Sequence, residues 1–448
     1  MHDPTDADRF PLLTDAGRRR LARLREHPSA PHWRHRCGER LTAAGLASVR
    51  AYAEEVGSKR PSWRSGEVAA WVPDFIERCR EEVPFYRDRL PAGADFFALP
   101  TTCRDDLRRN YWAFVPDPAD LSELVTYWTS GTAGDRVLLP THPEAPARYL
   151  PLFEAALAAR GVRIDGGDRT SIVQAVCQRR TYTFPSVMSY FGGAGYAKLN
   201  LHADEWRDRA DRAAYLDDFP PEVVTGDPVG LTELARLRLR AAPKAVLSSA
   251  TALLPGTRRH LEAHFGCPVL NVYGMIEVGP IACGDSDGLE VLPPNLFVEI
   301  LDTAGEPCPP VTRGEVVVTG GINPFVPLVR YRTGDFAALD FAGPVPKLVG
   351  FEGRPPVLFR TAAGVAFNSI DVSGTLADLP LPFLAVRQRA DGSVVLRTRT
   401  DPATVADAAA RLHELFAGAA VEVDLLPDGV PWDGKTIQYR TALPTGHE

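Results

Sequence analysis

Four short strings carry residue types suited to holding phosphates, a sugar, a base and a hard cation. Thr129-Ser130-Gly131-Thr132-Ala133-Gly134 follows the apolar run LSELVTYW. Its glycines let the backbone turn tightly and aim N–H groups at an anion, and its three hydroxyls add donors for phosphate oxygens. It is not a Walker loop, because G-x-x-x-x-G-K-[ST] does not fit. Asn271-Val272-Tyr273-Gly274-Met275-Ile276-Glu277 ends a predicted strand. A carboxylate there is placed to hold a cation such as Mg²⁺, and the Tyr273 ring to lie against a base. In Val329-Arg330-Tyr331-Arg332-Thr333-Gly334-Asp335, Asp335 after a Thr-Gly turn suits a pair of sugar hydroxyls, with the arginines complementing phosphate. Gly434-Lys435-Thr436 adds a lysine point charge near the C-terminus. Taken singly, each string also reads as an ordinary turn beside a solvated side chain.

The elements between these strings must position them. Residues 1–120 read as mostly helical, with helical spacing over 41–55 and an amphipathic helix over 75–90. From 121 onward short apolar runs (121–128, 171–177, 244–249, 269–273) alternate with helical stretches (149–160, 255–265), which predicts an α/β sheet. Strands dominate 289–350, among them 296–301, 314–318 and 328–331. After Gly350-Phe-Glu-Gly-Arg354-Pro-Pro356 the tail has its own pattern: strands near 357–360, 383–388, 393–398 and 420–425, and a helix over 402–417. The expected units are a helical N-terminal extension (1–74), a large domain (75–352) and a small C-terminal domain (353–448) of lid size.

The chain has 448 residues, 45% of them hydrophobic and 24% charged, with a formal net charge of −7. That length predicts more than one domain, and the charge argues against nucleic acid as the main partner. Seven scattered cysteines without a C-x-x-C pair read as reduced thiols, neither a disulfide framework nor a zinc cage. The polar start MHDPTDADRF is unlike a signal peptide, and there is no run of about 18 apolar residues to span a bilayer. A cytoplasmic protein without membrane partners is expected.

In their order along the chain, the four strings and the GR at 353–354 resemble the adenylate-forming superfamily of acyl-CoA synthetases, adenylation domains and luciferases. VPFYRDRL (83–90), AVLSSATALLPGTRRHLEAHFGCPVLNVYG (245–274) and PLVRYRTGD (327–335) are most similar to its phenylacetate–CoA ligase branch. The resemblance implies an α/β fold: a large multi-subdomain N-terminal domain with mixed sheets, plus a small mobile α+β lid. It also implies MgATP and a carboxylic acid as substrates, an acyl-AMP with release of pyrophosphate, and transfer to an acceptor. CoA is the first candidate acceptor, an amine or a carrier-protein thiol the alternative. A degenerate nucleotide-binding member is a further reading, and relatives work as monomers or homodimers.

Carried over by resemblance, Thr129, Ser130, Gly131, Thr132 and Gly134 hold the triphosphate. Tyr273 stacks on adenine, Gly274 permits close backbone approach, and Ser249, in the turn Ser248-Ser249-Ala250, lines the adenine pocket. Glu277 binds Mg²⁺, Asp335 holds the ribose with Arg354 nearby, and Lys435 swings in for adenylation. The acid pocket is expected at Tyr190, Phe191, Gly192 and Gly193. Three departures stand out: Asp135-Arg136 where the phosphate loop usually reaches Lys, Ile276 where Thr or Ser precedes the acidic residue, and Pro355-Pro356 after the hinge GR. Two prolines stiffen φ and remove two N–H donors, which weakens the case for an ordinary CoA step.

Overall fold

The computed structural model describes residues 4–128, 137–178, 181–351, 353, 357–426 and 438–443. A mixed sheet of twelve strands forms its centre. Five neighbouring strands run parallel: Val269–Met275, Ala245–Ser248, Pro221–Gly226, Thr170–Val176 and Ala194–Asn200. Phe184–Met188 closes that side antiparallel. On the other side, antiparallel pairing continues through Gly279–Asp285, Gly288–Val291, Lys347–Val349, Leu328–Asp340, Gly314–Gly320 and Leu296–Leu301. This is the expected α/β class with a large mixed sheet.

The parallel strands are apolar almost throughout because both faces are covered. One face packs Val173, Ala197 and Val224 against Leu24, Leu231 and Leu261 from helices Asp15–Glu26, Pro228–Ala235 and Pro255–Phe265. The opposite face packs Ile172, Val223, Leu247 and Val272 against Leu157 of helix Tyr149–Ala158. Residues 1–74, which carried no recognisable motif, are therefore part of the sheet's covering: Leu24 lies in its core, and helix Ala43–Ser58 packs on Tyr149–Ala158.

The strand Leu328–Asp340 is much longer than the run 328–331 suggests. Its neighbour pairs Val317 with Arg332 and Glu315 with Phe336, so Val316 alone faces Thr333, Gly334 and Asp335. The Thr-Gly-Asp turn is thus a bulge within a strand, with Gly334 at φ +75°. Tyr86, from VPFYRDRL, is fully buried and its hydroxyl accepts from the Val329 N–H at 2.9 Å.

The tail has a four-stranded sheet in the order Val421–Leu425, Val394–Thr398, Leu384–Gln388, Tyr439–Thr441. Helices Ser369–Thr375 and Pro402–Leu415 cover a core that includes Phe359, Val372, Leu396, Leu412 and Phe416. It docks on the start of helix Pro255–Phe265, where the Gly256 N–H donates to Ala377 O at 2.7 Å. A Cβ on Gly256 would lie 2.3 Å from the Asp378 carbonyl, so only glycine allows this approach. Beside it, buried Arg399 meets buried Glu233 at 3.3 Å. Among the described residues no helix is long and apolar enough to cross a membrane.

Arg330, at φ +43°, is buried and donates through Nε and Nη2 to both oxygens of buried Glu299 at 2.9 and 3.1 Å. Removing one partner of such a pair strands the other charge. Arg330→Ala is therefore expected to lower the unfolding free energy by about 3–5 kcal/mol, read from urea denaturation.

Candidate functional site

Side chains suited to ligand binding gather where the parallel strands end and the sheet turns antiparallel. Ligands collect at this carboxyl edge in open α/β sheets, because the crossover helices leave a crevice there. Tyr273 and Gly274 come from the end of Val269–Met275, Ser248 and Ser249 from the end of Ala245–Ser248, and Asp335 from the bulge. The buried Tyr273 hydroxyl donates to Asp335 Oδ2 at 3.0 Å, and its ring lies 4.2 Å from the Phe351 ring, tilted by 48°. Burial, then the Asp335 charge, holds the phenol protonated far above its ordinary range.

Glu277 lies just past the strand end and is only 3% exposed. Its Oε1 accepts from Arg104 Nη1 and from the Tyr331 hydroxyl, both at 3.0 Å. Arg104 is delivered by a short backbone graft. Thr102 N–H donates to Arg330 O at 3.0 Å and Arg332 N–H to Thr102 O at 2.8 Å, so 102–104 run alongside the long strand. A cation at Glu277 would meet one carboxylate beside a guanidinium, and among the described residues no group of three His, Cys, Asp or Glu could complete a metal cage. That donor set fits Mg²⁺ only if phosphate oxygens and water supply the remaining ligands, as Mg²⁺ commonly arranges.

Two local features mark the edge as unsatisfied. Among the described residues the buried Ser248 hydroxyl has no hydrogen-bond partner, and Ala250, two residues on, sits at φ +72°. Strain and orphaned donors of this kind persist where a ligand completes the structure.

Tyr273, Asp335 and Glu277 lie together at this edge, with Ser249 at the end of a neighbouring strand. Gly274 is needed for a protein contact, since a Cβ there would lie 2.7 Å from Gly279 O. The arginines of RYRTGD are corrected from phosphate ligands to structural partners. Arg330 is committed to Glu299, and Arg332 Nε donates to Glu315 Oε2 at 2.9 Å. Tyr190, Phe191, Gly192 and Gly193 are not brought to this edge. They precede Ala194–Asn200 at the amino ends of the strands, roughly 20 Å away along a seven-residue strand. There the Tyr190 hydroxyl donates to Glu154 at 2.5 Å, Phe191 is buried in the core, and Gly193 O accepts from Arg20 at 2.6 Å. Thr129, Ser130, Gly131, Thr132, Gly134, Arg136, Arg354, Pro355, Pro356 and Lys435 lie outside the described residues. The strands flanking 129–136 pair in the register Trp128 to Leu138, which brings the two ends of that segment together. Gly353 sits beside Asp335, 3.9 Å from Oδ1 for a Cβ.

Arg104, Tyr331, Phe351 and Lys198 are the residues the motifs did not single out. Lys198 belongs to Ala194–Asn200, on the sheet face shared with Tyr196. It is 8% exposed, its ammonium 3.6 Å from the Tyr182 ring centroid. Burial pushes it down to about 8, against the opposing pull of Cys37 and Asp227. Its signal was one lysine amid the small and apolar residues of AGYAKLNL.

Known proteins resemble the chain in sequence and fold. Residues 169–323 match the family model described as AMP-binding enzyme. A phenylacetate-coenzyme A ligase of Aromatoleum evansii is 25% identical over 288 residues, 59% of this chain and 64% of that protein. The Pseudomonas putida phenylacetate-coenzyme A ligase is 26% identical over 310 residues, 62% of this chain and 68% of that one. The first of these alignments thus spans just under two thirds of the relative's own length. The structure of 2-hydroxyisobutyryl-CoA ligase in the postadenylation state, in complex with R3-HIB-AMP, shares the fold with a TM-score of 0.58 at 19% identity. It covers 82% of this chain and 87% of that one. In sequence the chain is similar to AMP-binding enzymes over residues 169–323 and to phenylacetate-coenzyme A ligases over about three fifths of its length.

Lys198 allows a test by pH. With a folded value near 8 against 10.5, the unfolded chain binds the extra proton between those values, so this residue's contribution to stability rises with pH across that window. Lys198→Met, leaving Cys37, Asp227 and Tyr182 in place, is expected to flatten the rise in unfolding free energy between pH 8 and 10.5. Below pH 8 the variant should be the more stable by on the order of 3 kcal/mol, measured by urea melts at each pH.

Proposed function

We propose that this chain is an ATP-dependent acid ligase that works through an acyl-adenylate. The observation that carries this reading is the convergence of Tyr273, Asp335 and Glu277 at the carboxyl edge of the sheet, the first and last of them inside the segment matching AMP-binding enzymes. In this reading the adenine lies against Tyr273, the ribose hydroxyls donate to Asp335, and Glu277 would hold Mg²⁺, which would supply charge neutralisation for the phosphates. Residues 129–134 hold the triphosphate. The acid carboxylate attacks the α-phosphorus, the bond to the pyrophosphate oxygen breaks, and acyl-AMP and pyrophosphate form. Such a step needs in-line positioning and charge neutralisation more than proton transfer.

Residues 353–448 act in this proposal as the lid that brings Lys435 to the α-phosphate. The acceptor then displaces AMP from the acyl carbon. Coenzyme A is the first candidate, because the curated relatives are named as coenzyme A ligases. An amine or a carrier-protein thiol is the second, favoured by Pro355-Pro356, which stiffen the segment about which a lid would turn.

Acid-dependent ATP–pyrophosphate exchange over aromatic and medium-chain acids, with hydroxylamine trapping, tests the first step. Exchange with any acid supports adenylation, whereas silence with ATP still bound overturns it in favour of a nucleotide-binding relative without turnover. Lys435→Ala is expected to slow exchange by about 100-fold or more with ATP affinity nearly unchanged, because a lid cation acts mainly in the transition state. An unchanged rate removes Lys435 from that role. Ile276 is 42% exposed beside buried Glu277. Ile276→Thr is expected to leave exchange equal or faster, and a strong loss would show that the isoleucine itself is matched to the substrate.

A further inference from the structure

We propose that the acid activated here carries a second acidic group, remote from the carboxylate that is activated, and that Lys198 pairs with it. This rests on the adenylation reading above and names the substrate class for that site.

A lysine this deeply buried normally has a carboxylate against it, because an ammonium taken out of water without a partner costs several kcal/mol. Among the described residues Lys198 makes no hydrogen bond or ion pair, and its near contact is the Tyr182 face. The carboxylate of Asp227 is occupied elsewhere, capping helix Pro228–Ala235 through the Gly230 N–H at 2.8 Å. Among the described residues nothing accepts from its three N–H groups, so the ammonium is free to meet an acidic group on a ligand.

The surroundings describe the rest of the ligand. Tyr196 lies on the same face of the strand, and Phe184, cross-strand partner of Lys198, stacks on Tyr182 at 6.0 Å with the rings 7° apart. Tyr182 is 46% exposed and Tyr127 40% exposed. Large rings left open beside a buried ammonium make a wall for the flat or apolar body of a small molecule.

The second acid group must be remote. Lys198 stands four strand positions from Tyr273, about 19 Å between backbones at ~4.8 Å per strand. An ammonium so placed meets the far end of an acid whose near end lies by Glu277. The activated carboxylate itself is out of its reach.

Exchange assays on wild type, Lys198→Met and Lys198→Arg test this with matched acids: phenylacetate against 4-carboxyphenylacetate, and hexanoate against adipate. Wild type is expected to favour each diacid over its monoacid by about 10-fold or more in kcat/KM. Lys198→Met is expected to lose about 100-fold on the diacid and to stay within about 3-fold on the monoacid, while Lys198→Arg keeps the preference. Thermal melts then show the diacid stabilising wild type and Lys198→Arg but not Lys198→Met. A wild type that favours monoacids, or a Lys198→Met variant that loses both acids equally or neither, overturns the proposal while adenylation stands. No exchange with any acid, ATP still binding, overturns the adenylation reading and this proposal with it.

Discussion

A carboxylate buried as deeply as Glu277 has to be answered, and its two donors arrive from far apart in the chain. Tyr331 comes along the long strand, and Arg104 is carried in by a segment that hydrogen-bonds to that same strand. Once these three meet, much else is constrained. The strand carrying Tyr331 is locked below by Tyr86 and by the Arg330–Glu299 pair, and above by its bulge. The bulge aims Asp335 at the Tyr273 hydroxyl, so the end of the parallel sheet and the start of the antiparallel one close on the same crevice. One oxygen of Glu277 takes both donors, which leaves the other side of the carboxylate as the face a cation would use.

How legible this was depended on whether a feature is local. Strand Leu296–Leu301 and helix Pro255–Phe265 were readable to the residue, because apolar periodicity and the bounding prolines and glycines are written in a short window. The motifs led to Asp335 and Glu277 because each ends its string, and to Tyr273 because its ring stands before a glycine at the end of a strand. They misled where the partner is distant. Nothing in RYRTGD says that Glu299 and Glu315 wait opposite its arginines, so charge meant for pairing read as charge meant for phosphate. YFGGAG read as a pocket for its mix of rings and glycines, but those glycines serve a turn at the amino end of a strand, where Arg20 binds the Gly193 carbonyl. For Lys198 the local window showed only a lysine in an apolar run; its burial is a property of the assembled sheet.

Three departures from local rules lie on the parallel strands or just beyond their carboxyl ends. Among the described residues the Ser248 hydroxyl has no hydrogen-bond partner, Ala250 occupies a left-handed conformation, and Lys198 makes no ion pair. Each costs stability. The opposite edge shows the reverse economy. There Gly166 and Gly193 turn tightly, and the backbone N–H groups of Asp165 and Gly166 both donate to Glu222 at 3.0 Å. A fold that satisfies one rim of its sheet and leaves the other wanting is arranged for a ligand at the second.

The docking of the tail bears on how that edge is used. Among the described residues its contacts with the large domain include the start of helix Pro255–Phe265, where Leu254 joins its core and Arg259 donates to Asp378 O, and the Glu233–Arg399 pair. Gly256 accepts the Asp378 backbone closely but contributes no side chain to hold it. Rotation of the tail away from this helix would return Glu233 and Arg399 to water, and hydration offsets most of the lost attraction between them. Glu233 would also keep Arg236, which already meets it at 2.8 Å, so neither carboxylate oxygen need be stranded. Such an interface is compatible with the lid proposed for residues 353–448, and two prolines in sequence at 355–356 stiffen φ where that lid would turn.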